Sequence, residues 1–362
     1  MTSPQKGGSS VQMTQMMETC SSILPATQLK IASAFWAGAS ADSYQPTNLQ
    51  PHAEYYVQQC RAAYHALRSS LPVTKHDDIL LVVQKIKEGL QRHEIIDNCD
   101  SLAGNIRANS KIEKSEMLGK TLDLVASLLL MVDVGKPPVD RIWTGRSYRC
   151  WDEGDVYSFT ACIFPVQISA RNERVQLSDD FNARNLSVIA GLKVELTNNL
   201  LDHLEVVDFR GHTTVMIFHH ASFLKNQEHP LFPAGFVEET LQTLALLFPQ
   251  NSWYNESIKW YEKHLKPGLA DADSNVLDCG QLIMRDINEY RYWNVKLLRL
   301  KELFDSAKPR TMRQWWNDRR EGTQWYGLWV AVGFTVFFGL VQSIEGAIQV
   351  YKAYHPETGT DL

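Results

Sequence analysis

A chain of 362 residues, 44% apolar and 21% charged, is long enough for one large or two modest globular domains and too apolar for wholesale disorder. Its net charge of -5 and isoelectric point near 6.1 exclude a general nucleic-acid binder, which needs a basic face to neutralise phosphates. The six cysteines are scattered with no CxxC pair; this excludes a zinc ribbon or a disulfide scaffold and reads as free thiols in a reducing compartment.

Residues 1–52 mix Ser, Gln, Thr, Gly and Pro around one short apolar patch, Ile31 to Trp36, and read as a disordered segment. They contain no apolar h-region of a secretory signal, so the bulk of the chain is expected in the cytosol. A helical region follows over 53–150. Ile79, Val82, Val83, Ile86 and Leu90 recur at three- and four-residue spacing, with Thr74 as N-cap. The run LDLVASLLLMV, interrupted by Asp123, is too short to span a membrane and reads as a buried helix ended by Gly135 and Pro137-Pro138.

Residues 151–230 change character. SDDFNARNLSVIAG reads as a helix, LKVEL as a strand, NNLLDHL as a helix, and LEVVD and TTVMIF as a hairpin around Phe209 to His212. That order is compatible with a winged-helix-like module, and because NNLLDHL carries no basic cluster, protein contact is favoured over base readout. The 231–308 region reads as helical again. From Gln281 to Asp305, Ile283, Ile287, Tyr290, Trp293, Leu297, Leu300 and Phe304 fit one long helix packed on the chain's own core.

The 309–362 segment holds the strongest signal. Nothing charged lies in the 23 residues from Gly322 to Ile344, which as a helix extend roughly 35 Å, against about 30 Å of bilayer hydrocarbon. Trp315, Trp316, Trp325, Tyr326 and Trp329 gather at its N-terminal edge, where amphipathic rings favour the headgroup layer. Just outside, Lys308, Arg310, Arg313, Arg319 and Arg320 stand against the single acid Asp318. The positive-inside rule puts that block in the cytosol. The short remainder of the chain then faces the lumen or exterior, a tail-anchored arrangement in the endoplasmic reticulum or another endomembrane. Gly327, Ala331, Thr335, Gly339, Ser343 and Ala347 form a ladder of small residues at four-residue spacing, a pattern that lets two membrane helices approach closely as a homo- or hetero-oligomer.

Catalytic signals are weighed and set aside. Gly119-Lys120-Thr121 lacks the earlier glycine of a P-loop, that place being Lys114. His203, His212, His219 and His220 have no metal-ligand spacing, and the adjacent pair should point to opposite faces of a strand. Asp77-Asp78 and Asp179-Asp180 each open an expected helix, where they favour its dipole. Asn185 and Asn255 begin glycosylation sequons that would stay bare in a cytosolic domain.

The stretch RTMRQWWNDRREGTQWYGLWVAVGFTVFFGLVQSIEGAIQVYKAYHP, with NNLLDHL and TTVMIFHHASFL, resembles a group of uncharacterised filamentous-fungal proteins that carry a WW-x-DRR-like element, one hydrophobic helix and an EGA-x-QVYKAY-like tail. The resemblance covers roughly the C-terminal half. It implies a fungal origin and a place in immunity-like or specialised-metabolism contexts, and it brings no catalytic residues.

The expectation is therefore an α+β, mainly helical cytosolic domain with a small winged-helix-like segment and one C-terminal transmembrane helix. It needs no cofactor or metal, has a lipid bilayer and a cytosolic protein as partners, and makes no nucleic-acid contact. The alternative is an accessory enzyme of a membrane-associated biosynthetic pathway, and a third, weaker reading is a membrane-tethered winged-helix regulator.

Overall fold

The computed structural model of the chain describes residues 25–36, 46–67, 72–73, 75–99, 111–137, 145–167, 174–209, 211–249, 255–265, 272–307 and 322–355. The chain divides into two units, Met1–Ala307 and Lys308–Leu362. The first is mainly helical with one small sheet, and the second contains a single long apolar helix.

In the first unit, α1 (Pro25–Trp36) packs on α3 (His76–Lys87), and both α2 (Pro46–Leu67) and α3 pack on α5 (Lys111–Leu130). The expected disorder of residues 1–52 is overturned over α1 and the start of α2. Ile31, Ala32, Phe35 and Trp36 are buried in the core, which outweighs the ordering entropy that the polar surroundings of this patch implied. Residues 1–24 and 37–45 lie outside the described residues, as does Thr74. At the start of α3 the N-cap position is Lys75, whose N–H donates to the Asp78 carboxylate at 3.0 Å. The C-terminal end of α5 is buried on every side, with Val125, Ala126 and Leu128 to Val132 all in the core, as a helix surrounded by neighbours must be. Met131 turns left-handed (φ 50°) and ends it.

After α4 (Arg92–Asp97) and α6 (Val156–Ile163) come α7 (Ala183–Val188), capped by the Asn182 side chain, and the three-stranded sheet. Strand β1 (Lys193–Thr197) runs parallel to β3 (His212–Phe218), with Val194 beside Val215. Strand β2 (Val206–Phe209) is antiparallel to β3, Phe209 pairing with His212. The order is β1-β3-β2. The hairpin forms as its sequence implies, with Gly211 at φ +79° in the turn. NNLLDHL does not form a helix. Only a three-residue 3-10 turn, Leu200–Asp202, stands between β1 and β2, because the Asn199 side chain takes the Leu201 and Asp133 N–H groups and ties the segment to the end of α5. The segment thus lacks the helix a winged-helix module would present to a groove.

Short α8 (Ala221–Lys225), α9 (Phe236–Leu247) and α10 (Asn255–His264) follow. The single long helix expected over 281–305 is also corrected. Ile283 is 81% exposed, a 3-10 turn occupies Ile287–Glu289, and α11 begins only at Asn294 and ends at Ser306. The Glu239 carboxylate, from the first turn of α9, accepts the N–H groups of Arg291, Tyr292 and Trp293 at 2.7, 2.7 and 2.8 Å. Those donors are thereby withdrawn from any helical ladder. One continuous core runs from Ile31 to Phe304, all within the first unit.

In the second unit, α12 runs from Gly322 to Tyr354, 33 residues. It continues well past the expected end at Ile344.

Candidate functional site

Helix α12 offers the most unusual surface. The most apolar stretch within its Trp325–Tyr354 portion has a mean hydropathy of 1.8, and none of that stretch is buried. Among the described residues it is the one helix long and apolar enough, by length and composition, to cross a membrane. Phe334, Phe337 and Phe338 are 58%, 59% and 58% exposed. At its N-terminal end Trp325 meets Tyr326 edge-on and Trp329 at a tilt, with ring centroids 5.0 and 6.1 Å away, forming an aromatic collar of the kind found at a headgroup layer. The other anchors, Arg310, Arg313, Trp315, Trp316, Arg319 and Arg320, lie outside the described residues.

The small-residue ladder does fall on this helix, but its six members do not share one face. Each four-residue step advances about 40° on a helix of 3.6 residues per turn. From Gly327 to Ala347 the ladder therefore winds roughly 200°. Gly327, Ala331, Thr335 and Gly339 stay within one side, whereas Ser343 and Ala347 turn away. The hydroxyls of Thr335 and Ser343 bond the carbonyls of Ala331 and Gly339, each at 2.8 Å, and so are satisfied inside their own helix.

Within the first unit His52, His203, His219 and His220 are built into the fold, whereas His212 is exposed. His219 and His220 do not point apart: they leave the end of β3, their rings lie 4.1 Å from each other, and both Nε2 atoms meet Asn198 Oδ1, at 2.7 and 3.0 Å. His219 Nδ1 accepts the Asp273 N–H at 3.3 Å, and the Asp273 carboxylate accepts the Ser222 N–H at 2.7 Å. His52 stacks on Phe223 beside them. Burial pushes His52 down to about 4 and His219 to about 3. His203 accepts the Phe218 N–H at Nδ1 and meets Thr243 Oγ1 at Nε2. Among the described residues no group of three or more His, Cys, Asp or Glu is placed to hold a metal ion.

A second polar junction joins the end of α5 to the sheet. Arg146 pairs with Asp133 at 2.8 Å. Asp202, fully buried, accepts the Ser147 N–H at 2.8 Å and the Asn199 amide at 3.0 Å. Burial raises its pKa against the pull of those donors. A perturbed carboxyl in a cleft is a candidate for catalysis, but here both neighbours that reach it are building the turn on which β2 starts.

The sequence motifs set aside above take structural places. Gly119 to Thr121 sit inside α5, with the Thr121 hydroxyl on the Met117 carbonyl. Asp179 pairs with Arg285 at 3.1 Å. The sequon Asn185 is buried, its amide donating to the Asp180 carbonyl at 2.9 Å, so it is no surface acceptor.

What periodicity could not reveal is a groove beside α3 with a volume of about 610 Å³, in the range of ligand and peptide sites. Ala34, Leu80 and Leu81 give it an apolar floor, and Gln84, Glu88 and His229 a polar rim. Lys87 closes one end by donating to the Ala34 and Phe35 carbonyls, both at 3.0 Å, a favourable place for a cation at the end of α1. Tyr157 stacks on His229 and donates its hydroxyl to the Lys87 carbonyl at 2.8 Å. Leu81 and His229 are far apart in the chain, and nothing local in either segment signals the other.

Comparison with protein-family models, with curated proteins and with solved structures finds no match to the chain.

Proposed function

We propose that the protein is a single-pass membrane protein whose first unit, on the cytosolic side, binds a protein partner at the groove beside α3. The observation that carries the reading is the bare apolar surface of α12. At roughly 25 cal/mol per Å², exposed side chains the size of its phenylalanines disfavour water by about 1 kcal/mol or more each, and a bilayer removes that cost without any protein neighbour. Helix length supports it: about 20 residues at 1.5 Å each cover the hydrocarbon core, so the reading sets Trp325 and Glu345 at opposite boundaries. The cationic residues from Lys308 to Arg320 favour the cytosol for the side that carries Trp325.

The groove supports partner binding through its apolar floor and polar rim, the composition of a surface that takes up one face of a peptide or helix. The filamentous-fungal affiliation suggested by the C-terminal motifs belongs to the same reading and rests on those residues alone.

Alkaline carbonate extraction of membranes from cells expressing the full chain tests the anchor. The chain should stay in the pellet, and a variant lacking 309–362 should move to the supernatant; release of the full chain would overturn the reading. Orientation is tested with an Asn-X-Thr acceptor appended to the C-terminus. That site should be glycosylated while Asn255 stays bare, and the reverse pattern would place the first unit in the lumen.

A further inference from the structure

Helix α12 carries a second pattern that the small-residue ladder conceals. Thr335, Phe338, Gln342, Glu345, Gln349 and Lys352 follow one another at spacings of 3, 4, 3, 4 and 3, the repeat that keeps side chains along one line of a slightly supercoiled helix. Gln342, Glu345 and Gln349 fall within about 60° of one another, and all are exposed. None makes a hydrogen bond or ion pair among the described residues, in contrast to the inward-bonded hydroxyls of Thr335 and Ser343. The opposite side is apolar or aromatic, with Val336, Leu340, Ile344 and Tyr351.

The glycines point the same way. A Cβ added at Gly327, Gly333, Gly339 or Gly346 would meet nothing within 4 Å, so the helix's own unit does not require them. Three of the four, Gly327, Gly339 and Gly346, border the polar line within about 60°. Small residues there open the backbone to close approach by another helix.

We infer that α12 pairs with the α12 of a second copy of this chain, side by side and parallel, along this seam; the inference rests on α12 lying in a bilayer. A second copy is the occupant the side chains favour. A glutamine amide both donates and accepts, so a Gln342 layer completes itself against another Gln342, and a Gln349 layer likewise. Glu345 lies between the two amide layers, where each copy's carboxylate finds donors on the other's glutamines. Lys352 follows on the same line, so each copy brings one acid and one base. Copies inserted by the same route share an orientation, which makes the pair parallel. Polar residues at such positions fix register as well as partner.

Cysteine cross-linking of the full chain in native membranes tests it, with the unaltered chain as blank. T335C and Q342C should give covalent dimers on oxidation, and L340C and I344C, on the other side, at least fivefold less. In an energy-transfer assay on the full chain in membranes, Gln342→Leu should weaken association by about threefold to thirtyfold, the range for interhelical hydrogen bonds in lipid. Equal or greater cross-linking on the Leu340 side overturns the seam. Monomers at every position, in a chain that still resists carbonate extraction, also overturn the seam and leave the anchor standing. Release by carbonate removes the anchor and the seam with it.

Discussion

Replacing Glu239 by alanine should destabilise the first unit by about 3 kcal/mol. Glu239 is 5% exposed, and among the described residues its carboxylate is the sole partner of three successive backbone N–H groups, those of Arg291, Tyr292 and Trp293, all within 2.8 Å. Tyr292 and Trp293 are buried, whereas Arg291 is exposed and water can reach its N–H. Two donors are therefore orphaned at about 1–3 kcal/mol each, and the third costs little. Against this stands the relief of a carboxylate whose burial pushes its pKa up, which offsets part of the loss. Glutamine keeps an oxygen for Tyr292 and Trp293 but turns an amide NH₂ toward the Arg291 N–H, so Glu239→Gln should cost about 1 kcal/mol, one hydrogen bond's worth. Urea unfolding of the full chain in detergent, followed by tryptophan fluorescence, reads the change. The Trp293 ring, whose Nε1 donates to Thr240 Oγ1 at 2.9 Å, reports on the same joint. An alanine variant within about 0.5 kcal/mol of the parent, the usual range of surface changes, would refute the argument. A glutamine variant as damaged as the alanine one would show that charge, and not hydrogen-bond count, holds the joint.

Acid should unfold the first unit through its buried histidines. His52 and His219 have folded pKa values of about 4 and about 3 against 6.5, so the folded state binds fewer protons. Their contribution is complete above pH 6.5 and is lost as pH falls toward 4 and 3, by up to about 1.4 kcal/mol per pH unit for each; a urea midpoint that stays flat from pH 7 to 5 would contradict this. Trp36→Ala should cost about 3–5 kcal/mol, the range for emptying a large aromatic site, because the ring is 1% exposed; a loss under about 1 kcal/mol in the same titration would mean that α1 is not part of the core. Asn199→Ala removes the acceptor of the Asp133 N–H at 3.1 Å and the donor to the Ser147 carbonyl at 2.7 Å. It should cost about 2–4 kcal/mol and speed amide exchange at Asp133, and unchanged exchange would refute the role given to the turn.

Where local periodicity and burial coincide, the sequence is a sufficient guide. The apolar spacing of α3, the apolar run Leu128 to Val132 at the end of α5 and the uncharged run of α12 are each legible within a single segment. Helix α1 is missed because only four of its twelve residues are buried and the remainder look like the polar surroundings. Gln281 to Trp293 fails in the opposite sense: its a/d-like spacing is genuine, but a carboxylate some fifty residues earlier in the chain takes the donors a helix would need. NNLLDHL fails for the same reason, Asn199 being committed to the end of α5. The groove is assembled from α1, α3 and the turn holding His229, so no single segment carries its signature. The seam on α12 is the reverse case. It is fully written in the sequence, yet a ladder at four-residue spacing hides it until the winding of the helix is counted.

Helix α12 has no proline and no break over its 33 residues, and roughly 50 Å of unbroken helix is a stiff rod. Once it sits in a bilayer, any change in its tilt is carried undamped to the Tyr354 end. At the average inclination of about 20° for such helices, that end lies roughly 15 Å sideways from the Trp325 end. A thinner membrane leans the rod further and sweeps Gln349 and Lys352 across the surface, whereas a thicker one draws it upright. Lipid thickness is thereby converted into in-plane position, and two rods joined along one line must lean together.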